Sequence, residues 1–220
     1  MNAEAPAAES SPERQWWLRA LAVFQAPRAV FAALRNDSDE AAGARQEPVL
    51  ALVFLAGIAG VLLTGARERF LDDPAIDTLL VVVLVFLTGG IYGAATYWLG
   101  GAILHFGLRA AGARGRYRRA RHVLAFAAAP FVLMLVLVWP LRLVLYGADS
   151  FRTGGGDEGA GGLALDGLAA GFVLWSLALL VYGISVVERW TVVRAAVSVA
   201  LVLLALLVVS LPFVIPLSSR

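Results

Sequence analysis

The sequence predicts an all-α, polytopic membrane protein: five transmembrane helices preceded by amphipathic helices at the membrane interface. Three observations carry this prediction. Of 220 residues, 60% are hydrophobic and only 15% charged, whereas a soluble domain is about 45–50% apolar and about 25% charged. One soluble core of this size cannot hide that surplus, so lipid has to serve as solvent. The mean hydropathy is +0.79, and it is concentrated in long apolar runs. Between two of these runs lies a hinge, residues 109–122, with six arginines in fourteen residues. Such clusters stay on the cytoplasmic side of membrane proteins.

The elements follow in order. Residues 1–12 are mostly Ala, Glu, Ser and Pro. With no basic stretch leading into an apolar one, they predict a disordered tail and no cleaved signal peptide. Residues 13–47 form a cytosolic or interfacial amphipathic region. Trp17, Leu21 and Phe24 recur at helical spacing beside Trp16 and Leu18. Pro27 interrupts, and Val30, Phe31 and Leu34 resume the apolar face. Arg14, Arg19, Arg28 and Arg35 add positive charge. The pattern suits two short helices in the inner headgroup layer, with Trp16, Trp17, Phe24 and Phe31 facing lipid or a partner. The other reading packs these helices on the protein's own loops. Residues 36–47 read as a polar linker.

Residues 48–216 hold the spans. The first, 48–65, starts at Pro48, a residue suited to a helix start. The second apolar run, 76–108, is too long for one upright span and too short for two. It reads as a span over 77–98 with an interfacial or kinked extension to 108, bending at Gly89 or Gly100. The third, 122–146, contains Pro130, which should kink it and free the carbonyl four residues earlier. A glycine-rich stretch, 147–162, reads as a flexible outer loop. The fourth span is 163–186. The fifth, 195–216, ends at Pro212 and Pro216. Gly57/Gly60, Gly89/Gly93 and Gly167/Gly171 place small residues where helices can approach closely.

The arginines order these spans. With the N-terminus inside, thirteen of the eighteen lie in inner segments and four in outer ones. This bias predicts a cytoplasmic N-terminus and an outer C-terminus. Arg142, the remaining one, lies near the outer end of its span, at the depth of Asp166 in the next. The two either form an ion pair, or Arg142 snorkels outward alone. Lysine is absent, and Ala, Gly, Leu, Val and Arg dominate. That usage fits a GC-rich genome and a bacterial inner membrane.

Little in the chain suggests catalysis. There are no cysteines, which excludes disulfides, thiolate metal sites and a cysteine nucleophile. His105 and His122 read as interfacial side chains, not metal ligands. Hydrolase, P-loop and dinucleotide motifs are missing. No cofactor or metal is expected. The formal net charge of +2 argues against nucleic-acid binding. The hinge residues Arg114, Arg116, Tyr117, Arg118, Arg119 and Arg121 have two readings. They set topology and rest on anionic lipid headgroups, or they dock an acidic cytosolic partner with Tyr117 as anchor.

The order of features resembles the Yip family, five-span proteins named for interacting with Ypt/Rab GTPases, and its bacterial members most. Trp17 is followed by Pro27-x-x-x-Phe31-x-x-Leu34. His105 and Gly112 lead through the hinge into Arg121-His122-Val-Leu-Ala-Phe-Ala-Ala-Ala-Pro130. Trp175 opens a stretch ending Tyr182-Gly183-Ile184, and Arg194-Ala195-Ala196 starts the last span. Together these cover residues 15–210. The Asp-Leu-Tyr-Gly-Pro signature of eukaryotic members is absent. The resemblance implies an integral membrane protein with a cytosolic N-terminus and no known catalytic residues. The functional expectation is a non-enzymatic scaffold or adaptor that contacts the bilayer and a membrane or cytosolic protein and is able to oligomerise. The alternative is a small channel or transporter with a path near Pro130 and the glycine breaks of the second span.

Overall fold

The computed structural model describes residues 12–218, and among them there are helices and no strands. Three short helices come first: α1 (Pro12–Ala22), α2 (Pro27–Ala33) and α3 (Asp39–Ala44). They cap one end of a bundle made by α4 (Gln46–Leu63), α5 (Thr78–Ala95), α6 (Gly101–Ala110), α7 (Tyr117–Ala127), α8 (Ala129–Tyr146), α9 (Ala160–Glu188) and α10 (Val192–Ser218). Among the described residues, four helical stretches are long and apolar enough to cross a membrane: Gln46–Leu63, Thr78–Ala110, Tyr117–Phe151 and Ala160–Glu188. A shorter apolar stretch, Val192–Leu207, belongs to α10.

Burial shows why the apolar surplus exists. The bundle turns large apolar side chains outward: Leu79, Ile91, Phe106, Val144, Leu163, Val193 and Leu201 are all exposed. In water this surface would drive aggregation. In hydrocarbon it is solvated, and the helices satisfy their own backbone groups. The protein is therefore a multi-pass membrane protein with several apolar helices.

Close contact inside the bundle depends on glycine. A Cβ on Gly57 would lie 2.2 Å from the Gly89 carbonyl oxygen and 2.7 Å from the Gly93 Cα. One on Gly93 would lie 2.3 Å from the Val53 carbonyl oxygen. Backbone thus rests on backbone where α4 crosses α5, as small residues permit. Gly60 makes room instead for the Tyr92 ring. Gly167 and Gly171 differ from expectation: a Cβ on either meets nothing within 4 Å. They sit on the exposed side of α9, and no neighbour among the described residues uses them.

Two long runs are broken rather than straight. A π-helical turn, Thr96–Gly100, joins α5 to α6, so the irregularity falls at Gly100 and not Gly89. Ala128 separates α7 from α8, with Pro130 in the first turn of α8. Pro130 has no N–H to give the Phe126 carbonyl. The Phe131 N–H bonds Ala128 instead, and the freed Ala127 carbonyl accepts a buried hydrogen bond of 2.7 Å from Ser176 Oγ of α9. A hydroxyl on the neighbouring helix therefore repairs the ladder, as apolar surroundings require.

The N-terminal helices divide their aromatic residues. Trp16 is 4% exposed and Phe31 fully buried, in one core with Phe126, Leu179 and Ile184. This corrects the expectation that both face lipid or a partner. The Phe31 ring lies on Gly183, where an added Cβ would come within 2.7 Å of it. Phe24 is half-buried, its ring 5.3 Å from that of Trp175. Trp17, 43% exposed, keeps the outward position together with Leu18 and Leu21. Gly183→Leu is expected to expel Phe31 and loosen α2. Trypsin cleavage at Arg28 and Arg35 would quicken, and unchanged cleavage would contradict the contact.

Candidate functional site

The hinge and the N-terminal helices meet at one end of the bundle around a buried arginine. Residues 36–47, read from sequence as a polar linker, are structured. The Ser38 side chain caps α3 by accepting from Ala41 N–H at 3.2 Å, a standard helix start. Arg45 follows and is 0% exposed. Its Nη1 donates to the Asn36 carbonyl at 2.8 Å and its Nη2 to Asp37 Oδ1 at 3.1 Å. Burial pulls the guanidinium below its ordinary value, and Asp37 opposes the shift. Its Nε donates to His122 Nδ1 at 2.8 Å. An arginine can only donate, so Nδ1 accepts, and His122 is a neutral imidazole with its proton on Nε2. His122 is thus an internal acceptor, not an interfacial side chain.

Hinge residues complete the network. Arg118 Nε donates to Asp37 Oδ1 at 2.9 Å and its Nη1 to Asp39 Oδ1 at 2.7 Å. Arg119 donates to the Arg35 carbonyl at 3.0 Å. Arg35 reaches the Val186 carbonyl of α9. Tyr117 Oη donates to the Trp98 carbonyl at 2.6 Å, which turns it inward instead of leaving it as a free anchor. The Arg121 guanidinium stacks 4.9 Å from the Tyr97 ring and 4.6 Å from the Tyr117 ring. Arg118 and Arg119 thus fasten the N-terminal helices to the bundle. Arg114 and Arg116 stay exposed, and among the described residues neither has an ion pair.

Arg118 holds the Asp39 carboxyl below the usual carboxylate range through its hydrogen bond and its charge. A carboxyl lowered in the folded state contributes stability above its ordinary pKa and loses it as pH falls through the lowered value. Hydrogen exchange in α3 is expected to quicken on acidification below the ordinary carboxylate range. In Arg118→Gln it should be quick already at neutral pH. Exchange in that variant matching the parent protein would contradict the clamp.

A second charged cluster closes the opposite end. Arg142 is almost fully buried. Its Nε and Nη2 reach Asp157 Oδ2 at 3.1 and 2.8 Å, and its Nη1 reaches Asp166 Oδ1 at 2.6 Å. Arg142 and Asp166 are therefore brought together, with Asp157 as a partner the sequence reading missed. Arg67 Nη2 lies 3.6 Å from Asp166 Oδ1, and Trp139 has Arg67 and Arg142 at 5.5 and 5.8 Å from its ring centre. The glycine-rich stretch is a folded lid that delivers Asp157. A Cβ on Gly162 would lie 1.6 Å from the Asp157 carbonyl oxygen. Thr153 ties the lid to the preceding loop, donating from N and Oγ1 to Asp72 at 3.0 and 2.6 Å. These bonds hold the Asp72 carboxyl below its ordinary range.

Between the two ends lies an apolar cavity of about 300 Å³. Gly57, Tyr92, Thr96, Ala128 and Phe131 line it beside the helix break. No charged side chain is among its described lining. No group of three or more His, Cys, Asp or Glu able to hold a metal ion occurs among the described residues.

A family model described as Yip1 domain matches residues 21–213. No curated protein and no solved structure matches the chain. The residues that carry the resemblance hold the bundle together: Phe31 on Gly183, Pro130 at the repaired break, and Arg194, which donates to the Ala111 carbonyl at 2.8 Å. The match takes in everything from the end of α1 to most of α10, and by it this multi-pass membrane protein belongs to the Yip1 domain family, whose members are not known as enzymes.

Proposed function

We propose that the protein is a non-enzymatic scaffold or adaptor of the cell membrane, with its hinge side cytoplasmic. One observation carries this reading. Arg114 and Arg116 stay outside the internal network and exposed, and so does the outward stripe Trp17, Leu18 and Leu21 of α1. Exposed cations of the hinge, together with uncovered apolar side chains of the N-terminal helix, suit a surface resting on anionic lipid. Each arginine near such a surface contributes about 1 kcal/mol. The same face is open to an acidic protein partner.

A photo-crosslinker at position 116 tests the role in living cells. A discrete protein adduct, lost in Arg114→Glu, supports an adaptor. Adducts with lipid alone support a membrane-resting scaffold. Failure to capture either contradicts the proposal. The orientation has its own test, because the chain has no cysteine. A membrane-impermeant maleimide is expected to label Arg152→Cys on intact cells, and Arg116→Cys only after lysis. The reverse pattern would invert the topology.

The second reading, a small channel or transporter, draws support from the apolar cavity beside the break at Ala128. Reconstituted protein with no solute flux above that of empty liposomes would set it aside.

A further inference from the structure

Beside the internal network, a pocket of about 300 Å³ opens between α3, α4, the π-helical turn and α7. This lies at the low end of small-ligand sites, about 300–1,000 Å³. Its walls differ. One is cationic, made by Arg118 and Arg121, and another is apolar, made by Val49, Leu50 and Trp98. Leu50 and Trp98 are themselves exposed, so the apolar wall continues onto the outer surface of the helices.

Arg121 is the unusual member. Its stem lies flat on Gly101, where a Cβ would come within 2.4 Å of its Cγ. Its guanidinium is held against two tyrosine rings. Its Nε is buried without a hydrogen-bond partner. Among the described residues, no carboxylate pairs with it and no acceptor receives its N–H groups. A guanidinium carries five donors suited to phosphate oxygens. One fixed in place with its donors unspent is preorganised for an anion. Asp39 lines the same pocket, but Arg118 holds it in an ion pair of 2.7 Å.

We infer that this pocket binds one anionic phospholipid, its phosphate on Arg121 and its glycerol and first methylenes along Leu50 and Trp98. The two unlike walls meet as the two halves of such a molecule do. The inference rests on the proposal that the hinge side contacts anionic lipid, and it adds one specific site that the exposed arginines do not form. Gly43 offers an independent handle. It also lines the pocket, and an added Cβ there meets nothing within 4 Å. A larger side chain would fill the space and leave Arg121 in place.

The test is native mass spectrometry of the full-length protein, released from detergent with equimolar phosphatidylglycerol and phosphatidylcholine. One phosphatidylglycerol per chain is expected, in clear excess over phosphatidylcholine. Arg121→Gln should reduce its retention about tenfold or more, the loss of a charge-assisted hydrogen bond. Gly43→Leu should reduce it comparably with all arginines intact. Arg121→Lys, which keeps the charge but not the planar fork, should retain more than Arg121→Gln, which separates loss of charge from loss of fold. Arg114→Gln with Arg116→Gln should leave the single bound lipid unchanged. If the crosslinker at position 116 captures neither protein nor lipid while the bound lipid persists, only the broader proposal falls. Equal retention of phosphatidylcholine, or Arg121→Gln and Gly43→Leu both holding lipid like the parent protein, would overturn the site. Binding of inorganic phosphate instead of lipid, with the same dependence on Arg121, would assign it to a soluble anion and overturn the lipid.

Discussion

Gly57→Leu is expected to destabilise the bundle by about 3 kcal/mol or more, at or beyond the upper end for overpacking a core. The reason is the identity of the obstacles. A Cβ at this position meets the Gly89 carbonyl oxygen at 2.2 Å and the Gly93 Cα and N at 2.7 Å. All are backbone, so no rotamer change relieves the clash, and α4 and α5 have to move apart along their crossing. Dispersion contacts are the main attraction between helices in lipid, where no hydrophobic drive joins them. Separation therefore forfeits most of what holds this pair. Gly93→Leu is expected to act alike, because its Cβ meets the Val53 carbonyl oxygen. Gly167→Ala and Gly171→Ala are the controls and should leave stability within about 0.5 kcal/mol, as for surface substitutions elsewhere. Reversible denaturation in mixed micelles measures all four. A Gly57→Leu protein as stable as the controls would show that the crossing is looser than described.

Arg142→Leu is expected to cost about 3–5 kcal/mol, the range for removing one partner of a buried ion pair. The loss strands Asp157, whose side chain is 4% exposed. Asp166 accepts from the same arginine, but its side chain is 46% exposed, so water can take over. Asp166→Asn should therefore cost about 1 kcal/mol or less. Arg142→Leu with Asp157→Leu should recover much of the single-variant loss, because apolar replacement of a buried pair is often neutral. The comparison uses the same denaturation experiment. Equal costs for Arg142→Leu and Asp166→Asn would mean that Asp157 is hydrated and the lid open.

Much of the architecture was legible in the chain. The all-helical class and the family follow from composition, apolar runs and the order of a few motifs. The Gly57, Gly89 and Gly93 spacing pointed to close helix contact, and Pro130 to a helix break. What the reading missed has a common cause. Trp16 and Trp17 are adjacent and equally apolar, yet one is core and the other exposed. Gly167 and Gly171 repeat the spacing of Gly89 and Gly93 without meeting a helix among the described residues. In lipid both the inside and the outside of a bundle favour apolar side chains, so pattern alone does not say which face is covered. Arg45 and His122 are separated by 77 positions, and Asp157 sits among glycines that resemble a linker. Residue type did not announce either pairing.

Sequence alone determined that this chain is helical, requires lipid and belongs with the Yip1 domain proteins, because these properties depend on the solvent each segment demands and on the order of segments. Tertiary structure alone decided which arginines are spent on Asp37, Asp39 and Asp157 and which have no carboxylate partner among the described residues. A charge is satisfied only by what stands within a few ångströms of it, and packing brings together partners that the chain keeps far apart.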